Sequence, residues 1–251
     1  MKISVIIITW NGSLLLRNCL KSLDTLMERS DVEVIVVDNG SEDDTVAFMK
    51  SNYQSIQFIE LSQNFGVAYA RNKALEKAVG EYLFILDNDT VVSREAIEYM
   101  EIFMDTHPDA GMCGCKLIDG NGIVQENCKK YPGIKEKVAN VMKGKEYRYS
   151  YTEETRSQIF SPEYLIGACQ FIRSEAYKQV GSLDEHIFYG PEDADYCLRI
   201  QQKGWKIYFI PHCSIQHLCQ RMTNKRLLTK MSFVHVKALF YFYFKYKRFL
   251  S

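Results

Sequence analysis

The 251-residue sequence contains no apolar run that approaches the roughly 20 residues needed to cross a bilayer as a helix. It also has no net formal charge, since 31 basic residues balance 31 acidic ones, which argues against a general nucleic-acid-binding protein. Internal repeats and low-complexity linkers are lacking too, whereas apolar residues make up 47% and charged residues 25% of the chain. This composition is typical of a globular protein with a buried core.

The eight cysteines lack the spacing of a zinc site. Cys113 and Cys115 stand one residue apart, and no second pair accompanies them. The apolar stretch Ile3–Ile8 is too short for the hydrophobic region of a secretory signal peptide. We therefore expect a cytoplasmic protein in which most cysteines are buried thiols.

Acidic residues are missing from one end of the chain. From His212 to Ser251 there is no Asp or Glu, but there are eight Lys and Arg residues. Aromatic residues alternate with these basic ones between Met231 and Leu250, as in helices that lie on anionic membranes. A helix packed on the protein or against another subunit would show the same pattern. Peripheral contact with the inner face of the cell membrane and a homodimer therefore both remain open.

The first hundred residues alternate between apolar runs and stretches with helical spacing. The predicted strands are Ile3–Ile8, Val32–Val37, Ile56–Leu61 and Tyr82–Leu86, and the predicted helices are Leu14–Met27, Ser41–Lys50 (with Ser41 as N-cap), Val67–Val79 and 94–106. This alternation predicts an α/β fold with a mostly parallel, Rossmann-like sheet flanked by helices.

The second half is less regular. It contains predicted strands at Met112–Leu117, Ile123–Cys128, Tyr164–Arg173 and Trp205–Ile210, a helix at Pro191–Lys203, and a polar, tyrosine-rich loop at Lys129–Ser161. We expect that loop to pass over the functional site.

Polar side chains follow each of the first four strands. They are Thr9, Trp10 and Asn11, then Asp38, then Asn64, and finally Asp87, Asn88 and Asp89. Because ligands of parallel sheets bind beyond the carboxyl ends of the strands, this edge is predicted to hold one site. Asp87 and Asp89 are spaced to converge on Mg²⁺ or Mn²⁺, although Asp and Asn also favour simple turns.

Two further acids, Glu192 and Asp193, begin a predicted helix. A carboxylate in such a position could serve as a general base. Acids at a helix start are also stabilised there without any chemistry, so both interpretations stay open. Asp195 and Arg199 are spaced to form a supporting pair on the same helix.

Five motifs in order resemble a known family. They are Thr9-Trp10-Asn11, Val36-Val37-Asp38-Asn39-Gly40-Ser41, Asn64-Phe65-Gly66 with Ala70-Arg71-Asn72, Leu86-Asp87-Asn88-Asp89, and Glu192-Asp193-x-Asp195 with Arg199. This set resembles the family-two inverting glycosyltransferases of the GT-A fold, and most of all the rhamnosyltransferase-like branch that builds bacterial polysaccharides. Each motif alone is loose, but together they span nearly the whole chain.

The resemblance implies one glycosyltransferase domain over residues 1–251. Its parts would be a nucleotide-sugar-binding half (1–110), an acceptor and catalytic half (111–220) and a basic, aromatic C-terminal helix (221–251). The donor would contact Thr9, Asn11, Asp38, Asn64, Arg71, Asp87 and Asn88. Mn²⁺ or Mg²⁺ would bind Asp89 and His217, and Asp193 would be the base, with Glu192 as the fallback.

The sequence departs from the family pattern at two of these places. Asn39 stands where a second Asp is commoner, and Leu218 follows His217 where the family has small residues. Whether His217 is a metal ligand or an ordinary buried histidine therefore stays open.

The implied reaction moves a sugar from a nucleotide diphosphate to an acceptor hydroxyl, with inversion, on a polysaccharide or lipid-linked glycan. One alternative is a sugar-phosphate nucleotidyltransferase, but Trp10-Asn11-Gly12-Ser13 does not supply its glycine-rich phosphate loop. The other is a catalytically inactive nucleotide-binding or assembly protein, against which the intact acids Asp87, Asp89 and Asp193 argue.

Overall fold

The computed structural model describes residues 1–131, 151–218 and 230–247. Its strands are β1 (Ile3–Thr9), β2 (Val32–Asp38), β3 (Gln57–Glu60), β4 (Tyr82–Asp87), β5 (Thr90–Val91), β6 (Ala110–Ile118), β7 (Val124–Gln125), β8 (Cys128–Lys129), β9 (Tyr164–Leu165), β10 (Cys169–Arg173) and β11 (Lys206–His217). Its helices are α1 (Ser13–Ser22), α2 (Asp24–Met27), α3 (Thr45–Asn52), α4 (Val67–Leu75), α5 (Arg94–Thr106), α6 (Glu153–Arg156), α7 (Ser174–Val180), α8 (Glu192–Gln202) and α9 (Lys230–Lys245).

The central sheet has the strand order β3-β2-β1-β4-β10-β6-β11-β5, and β7 also pairs with β6. The pairs β1–β2, β1–β4, β2–β3 and β6–β11 are parallel. β10 is antiparallel to both β4 and β6, so these two strands share one direction. The prediction of a mostly parallel sheet flanked by helices is confirmed, with β10 inserted in the opposite sense.

Both faces of the sheet are covered, which explains the continuous apolar runs of the strands. Successive side chains of a strand point to opposite faces. Ile3, Val5 and Ile7 accordingly join one core with residues of α1 and α5, whereas Ile6 joins a second core with residues of α4 and α8. The two cores therefore hold the sheet between them, and the ends of its strands keep fixed positions relative to one another.

Three predicted helices have clearly different bounds in the structure. The helix expected at Val67–Val79 ends at Leu75. The helix expected at Leu14–Met27 ends at Ser22 and resumes at Asp24 as α2. The helix expected to start at Ser41 begins at Thr45 instead, where Asp43 accepts hydrogen bonds from the Thr45 backbone and hydroxyl. Ser41 is not an N-cap, because its hydroxyl accepts the backbone N–H of Asn11 at 2.8 Å.

Several predicted strands also have different bounds in the structure. The strand expected at Tyr164–Arg173 is interrupted between β9 and β10 at Gly167, where a side chain would lie within 2.5 Å of the Arg71 guanidinium. β11 runs past Ile210 to His217, with a register shift against β6 after Ile210. The predicted strand Ile123–Cys128 is divided between β7 and β8, and most of the predicted loop Lys129–Ser161 lies outside the described residues.

The C-terminal helix α9 packs on α8. Ala238, Phe242 and Tyr243 are buried, and the latter two pack with Ala194 of α8. Asp195, fully buried, accepts hydrogen bonds from Lys245 at 2.6 Å and from Tyr246 at 2.8 Å. The predicted Asp195–Arg199 pair is confirmed at 2.9 Å.

Lys245 also bonds Asp184 at 2.6 Å, which ties α9 to the segment before α8 as well. Within the described part of the chain, no helix is both long and apolar enough to span a membrane. Of the predicted C-terminal helix 221–251, Lys230–Lys245 is helical, and residues 221–229 and 248–251 lie outside that part.

Candidate active site

A cleft of about 230 Å³ opens at the carboxyl edge of the sheet. Its lining includes Thr9, Trp10, Asn11, Asn39, Asn64, Gly66, Asp87, Asn88, Asp89, Phe188 and Tyr189. A larger hollow of about 610 Å³ lies where strands β1 and β4 begin, beside Met1, Gly80 and Lys178. We place the site in the smaller cleft, because the convergent polar side chains that a ligand site needs are found there.

Three potential metal ligands meet at one side of this cleft. Asp87 ends β4, Asp89 lies in the following turn, and His217 ends β11, which pairs with β5. One ligand atom from each of the three lies within 4.8 Å of the other two. His217 Nε2 is 3.4 Å from Asp89 Oδ1. Carboxylate oxygens suit Mg²⁺ and Mn²⁺, so the two acids fit the Mn²⁺ or Mg²⁺ that the resemblance implies.

His217 has a neighbour that the sequence did not identify. The side chain of Gln125, on β7, contacts both its ring and its backbone: Oε1 lies 2.7 Å from Nδ1, and Nε2 donates to the His217 carbonyl oxygen at 2.8 Å. Nothing in the sequence pattern distinguishes Gln125, since the two residues are 92 positions apart.

The strand-end loops are fastened to one another by side-chain hydrogen bonds. Asn88 Nδ2 donates to Thr9 Oγ1 at 2.9 Å, which joins the ends of β1 and β4. Asn11, whose φ is 49°, accepts the backbone N–H of Glu42 at 2.7 Å. Three of the predicted donor-binding residues therefore shape the rim of the cleft as well as line it.

Asp38 and Asn39 end β2, in different roles. Asp38 Oδ2 accepts the backbone N–H of Ser41 at 3.0 Å, whereas its Oδ1 is buried without a hydrogen-bond partner among the described residues. Asn39 Nδ2 donates to Asn64 Oδ1 at 3.0 Å, while its Oδ1 accepts the backbone N–H of Phe65. An Asp could not make the donated bond, which explains why Asn is suited to this position here.

Arg71 of α4 lies beneath the cleft, with only 4% of its side chain exposed. It bonds Asp87 Oδ1 at 2.8 Å, the carbonyl oxygen of Gly167 at 3.0 Å and Glu192 Oε1 at 3.5 Å. A buried cation needs such partners because burial removes its hydration. Arg71 thus connects the end of β4 to the start of α8, although the sequence predicted only that it would line the donor pocket.

Glu192 and Asp193 differ in accessibility. Glu192 is buried, and burial, followed by the charge of Asp193, raises its pKa to about 7, while Arg71 opposes the shift. Its Oε2 has no hydrogen-bond partner among the described residues. Asp193 is half-buried and accepts backbone N–H groups from Ala194 at 2.7 Å and Gly167 at 3.3 Å. Burial raises its pKa as well.

Comparison with known proteins decides the family. Residues 4–181 match the family described as Glycosyl transferase family 2. The chain belongs to this family. The predicted resemblance is confirmed, and with it the prediction that the protein is a glycosyltransferase enzyme.

Two relatives of this glycosyltransferase are named as rhamnosyltransferases. The N-acetylglucosaminyl-diphospho-decaprenol L-rhamnosyltransferase of Mycobacterium tuberculosis is 24% identical over 95% of this chain and 82% of its own. The dTDP-rhamnosyl transferase RfbF of Shigella flexneri is 26% identical over 86% of this chain and 68% of its own.

Solved structures confirm the GT-A fold of this glycosyltransferase. Staphylococcus aureus TarS superposes with a TM-score of 0.62 at 21% identity, over 87% of this chain. The mannosyltransferase PcManGT from Pyrobaculum calidifontis, solved with GDP-Man and Mn²⁺, gives 0.61 at 21% identity, over 88% of this chain. The glycosyltransferase spans only 37% and 58% of those two chains, respectively.

Proposed function

We propose that this protein is a metal-dependent, inverting glycosyltransferase that moves a sugar from a nucleotide diphosphate to a hydroxyl of a polysaccharide or lipid-linked glycan. The observation that carries the proposal is the meeting of Asp87, Asp89 and His217 in the cleft. The two rhamnosyltransferase relatives and the Mn²⁺ in PcManGT support it. A bound divalent cation would neutralise charge on the departing diphosphate.

The nucleotide base would lie near Asp38. Its Oδ1 is a buried acceptor that receives no hydrogen bond from the described residues. Such an atom costs free energy unless a donor reaches it, and the imide N–H of a pyrimidine is a donor of the right kind. Thr9, Asn11, Asn64 and Asn88 would hold the rest of the donor at the rim.

Asp193 would be the general base. It is the more accessible acid of the pair, whereas Glu192 is buried against Arg71. Backbone N–H groups from two segments fix the orientation of the Asp193 carboxylate, and its raised pKa increases its affinity for the acceptor proton. Attack from this side, opposite the diphosphate, would invert the anomeric centre.

The test is transfer from a panel of nucleotide sugars, including dTDP-rhamnose, to glycan acceptors with Mn²⁺ or with a chelator. We expect Mn²⁺-dependent product whose anomeric configuration, read by NMR coupling, is opposite to that of the donor. Retention of configuration, or equal transfer in the chelator, would contradict the proposal. Nucleotide binding without transfer to any acceptor would favour an inactive binding protein.

The outer face of α9 supports a further part of the proposal, contact with an anionic membrane surface. Four large apolar side chains with helical spacing are exposed there: Phe233 (67%), Val236 (47%), Phe240 (55%) and Phe244 (70%). We call them the α9 stripe. Lys237 is exposed on the same helix and Lys247 just beyond its end, and the sequence from His212 onward contains no acid. Aromatic residues with basic neighbours suit an anionic lipid interface.

The helix that carries the α9 stripe borders the cleft. His235 Nδ1 of this helix is 3.4 Å from the carbonyl oxygen of Tyr189, which lines the cleft. A membrane bound to the α9 stripe would therefore contact the outer face of a helix whose inner face borders the cleft.

Vesicle flotation tests this contact. The double variant Phe240→Ser/Phe244→Ser should bind phosphatidylglycerol vesicles at least about tenfold more weakly, since each phenylalanine loses an apolar contact with the lipid. Leu14→Ser/Ile102→Ser, at two residues that are 72% and 63% exposed elsewhere, is the matched control. Equal binding by both variants would exclude the α9 stripe as the lipid contact. If the first variant instead abolishes a concentration-dependent dimer, the stripe is a subunit interface.

A further inference from the structure

Gln125 and His217 lie on opposite sides of the same strand. At the carboxyl end of β6, Leu117 pairs with Gln125 of β7 on one side and with Ile215 of β11 on the other. The Gln125 side chain spans this end of the strand and reaches His217, where β11 ends. One side chain thus links the two strands that flank β6.

The two hydrogen bonds of Gln125 determine how its amide is oriented. The backbone carbonyl oxygen of His217 can only accept, so the group 2.8 Å from it must be the amide NH₂. The amide oxygen then faces the ring at 2.7 Å from Nδ1. An amide oxygen can only accept, and Nδ1 must therefore carry the hydrogen.

This contact also determines whether the other ring nitrogen, Nε2, carries a hydrogen. In a neutral imidazole only one nitrogen carries hydrogen, so Nε2 holds the lone pair. Nε2 is the atom that lies 3.4 Å from Asp89 Oδ1, and a ligand atom of His217 lies within 4.8 Å of those of Asp87 and Asp89. Three electron-rich atoms directed at one place are stabilised by a cation between them.

We propose that Gln125 is a positioning residue that holds His217 in the Nδ1–H tautomer, with the Nε2 lone pair directed at the metal. The part that concerns metal affinity rests on the proposed function, whereas the tautomer itself can be measured without a metal. Outer partners of this kind typically change metal affinity by about 10- to 100-fold when they are removed.

A simpler role for Gln125 would be to stabilise the packing of β7 next to β11, with no effect on the tautomer of His217. Two substitutions separate the roles, because Gln125 makes one bond as acceptor and one as donor. Gln125→Met keeps the length of the side chain and loses both bonds. Gln125→Glu keeps an acceptor for Nδ1–H but loses the donor to the His217 carbonyl oxygen. If Gln125 only joins the two strands, both variants should bind the metal more weakly. If Gln125 directs the tautomer of His217, Gln125→Met should bind more weakly and Gln125→Glu should not.

The first measurement is Mn²⁺ affinity by electron paramagnetic resonance, without nucleotide. Gln125→Met should bind Mn²⁺ about 10- to 100-fold more weakly than the unaltered protein, and Gln125→Glu should stay within about threefold of it. Val124→Thr, at the neighbouring and 49% exposed position of β7, is the matched control. An equal loss in the Met and Glu variants, or no loss in either, overturns the proposal.

The second measurement is the ¹⁵N NMR spectrum of His217 in the metal-free, unaltered protein at pH 8. We expect a protonated Nδ1 and an unprotonated Nε2. A protonated Nε2 overturns the proposal even if the Met variant does not fold. If the unaltered protein binds no Mn²⁺, the metal assignment of the proposed function fails, but the spectrum still decides the role of Gln125.

Discussion

Asp87 and Asp89 form one acidic cluster at the carboxyl edge of the sheet, and Glu192 and Asp193 form another. The first lies at a strand end and in a tight turn, with side chains that are 34% and 13% exposed and face a histidine. The second begins a long helix, and burial raises the pKa of both of its acids. In the function that we propose, the first pair would receive a cation and the second would hold a proton.

Arg71 makes the two clusters one unit. It bonds an acid of each, and its partner Gly167 also donates to Asp193 through the backbone. Like-charged groups would repel one another across this short distance, and the buried guanidinium offsets that repulsion. The comparison teaches that burial and partners alone can give carboxylates at one edge of a sheet different electrostatic properties.

The largest expected effect is loss of the cation site. Asp89→Asn should abolish Mn²⁺-dependent binding of nucleotide diphosphate, because the amide lacks the charge of the carboxylate ligand. Calorimetric titration of nucleotide with and without Mn²⁺ measures this. Glu42→Gln, an exposed acid at the same edge, is the control and should bind normally. Unchanged Mn²⁺-dependent affinity in Asp89→Asn would contradict the metal assignment.

The second-largest expected effect is the loss of the proposed general base, Asp193. Asp193→Asn has one acceptor oxygen and can keep one of the two backbone hydrogen bonds, but it cannot take the acceptor proton. Turnover should therefore fall by about 10²- to 10⁴-fold while donor affinity barely changes. Steady-state kinetics with donor and acceptor varied separately would show this. Glu192→Gln is the neighbouring comparison. If it inactivates transfer and Asp193→Asn does not, the two roles are reversed, and normal turnover in both would move the base elsewhere.

The smallest effect is on stability. Between pH 4.5, the usual pKa of a glutamate, and about 7, folded Glu192 keeps its proton while the unfolded chain releases it. Raising the pH through this window therefore favours unfolding, by up to ~1.4 kcal/mol per pH unit. Glu192→Gln should remove this slope in denaturant titrations at pH 5, 6 and 7. Glu98→Gln, whose side chain is 38% exposed, should keep it. An unaltered slope in Glu192→Gln would show that the group titrates normally.

The sequence predicted the candidate site well where its residues directly follow the strands. Six of the nine predicted donor and metal residues line one cleft: Thr9, Asn11, Asn64, Asp87, Asn88 and Asp89. Parallel strands explain this success, because polar residues that follow each strand must meet at one edge. The five ordered motifs also identified the family correctly.

The sequence was uninformative about contacts between distant segments. Gln125 and Lys245 contact their partners across 92 and 50 positions, and no periodic pattern marks such pairs. Ser41 misled the prediction because serine suits both an N-cap and a loop contact, and the nearby Asp43 made the bond to the first turn of α3. Local preference cannot choose between such competitors.

The bonds of Lys245 and Tyr246 to Asp195 matter for anyone who builds hybrids of this enzyme with a relative. Asp195 is fully buried, so a foreign C-terminal segment without equivalent donors would leave its charge poorly compensated. Asp195 also belongs to the helix that begins with Glu192 and Asp193, and a disturbance there would reach the proposed base. A crossover point placed before α8 would let this helix and the final segment be inherited from the same parent.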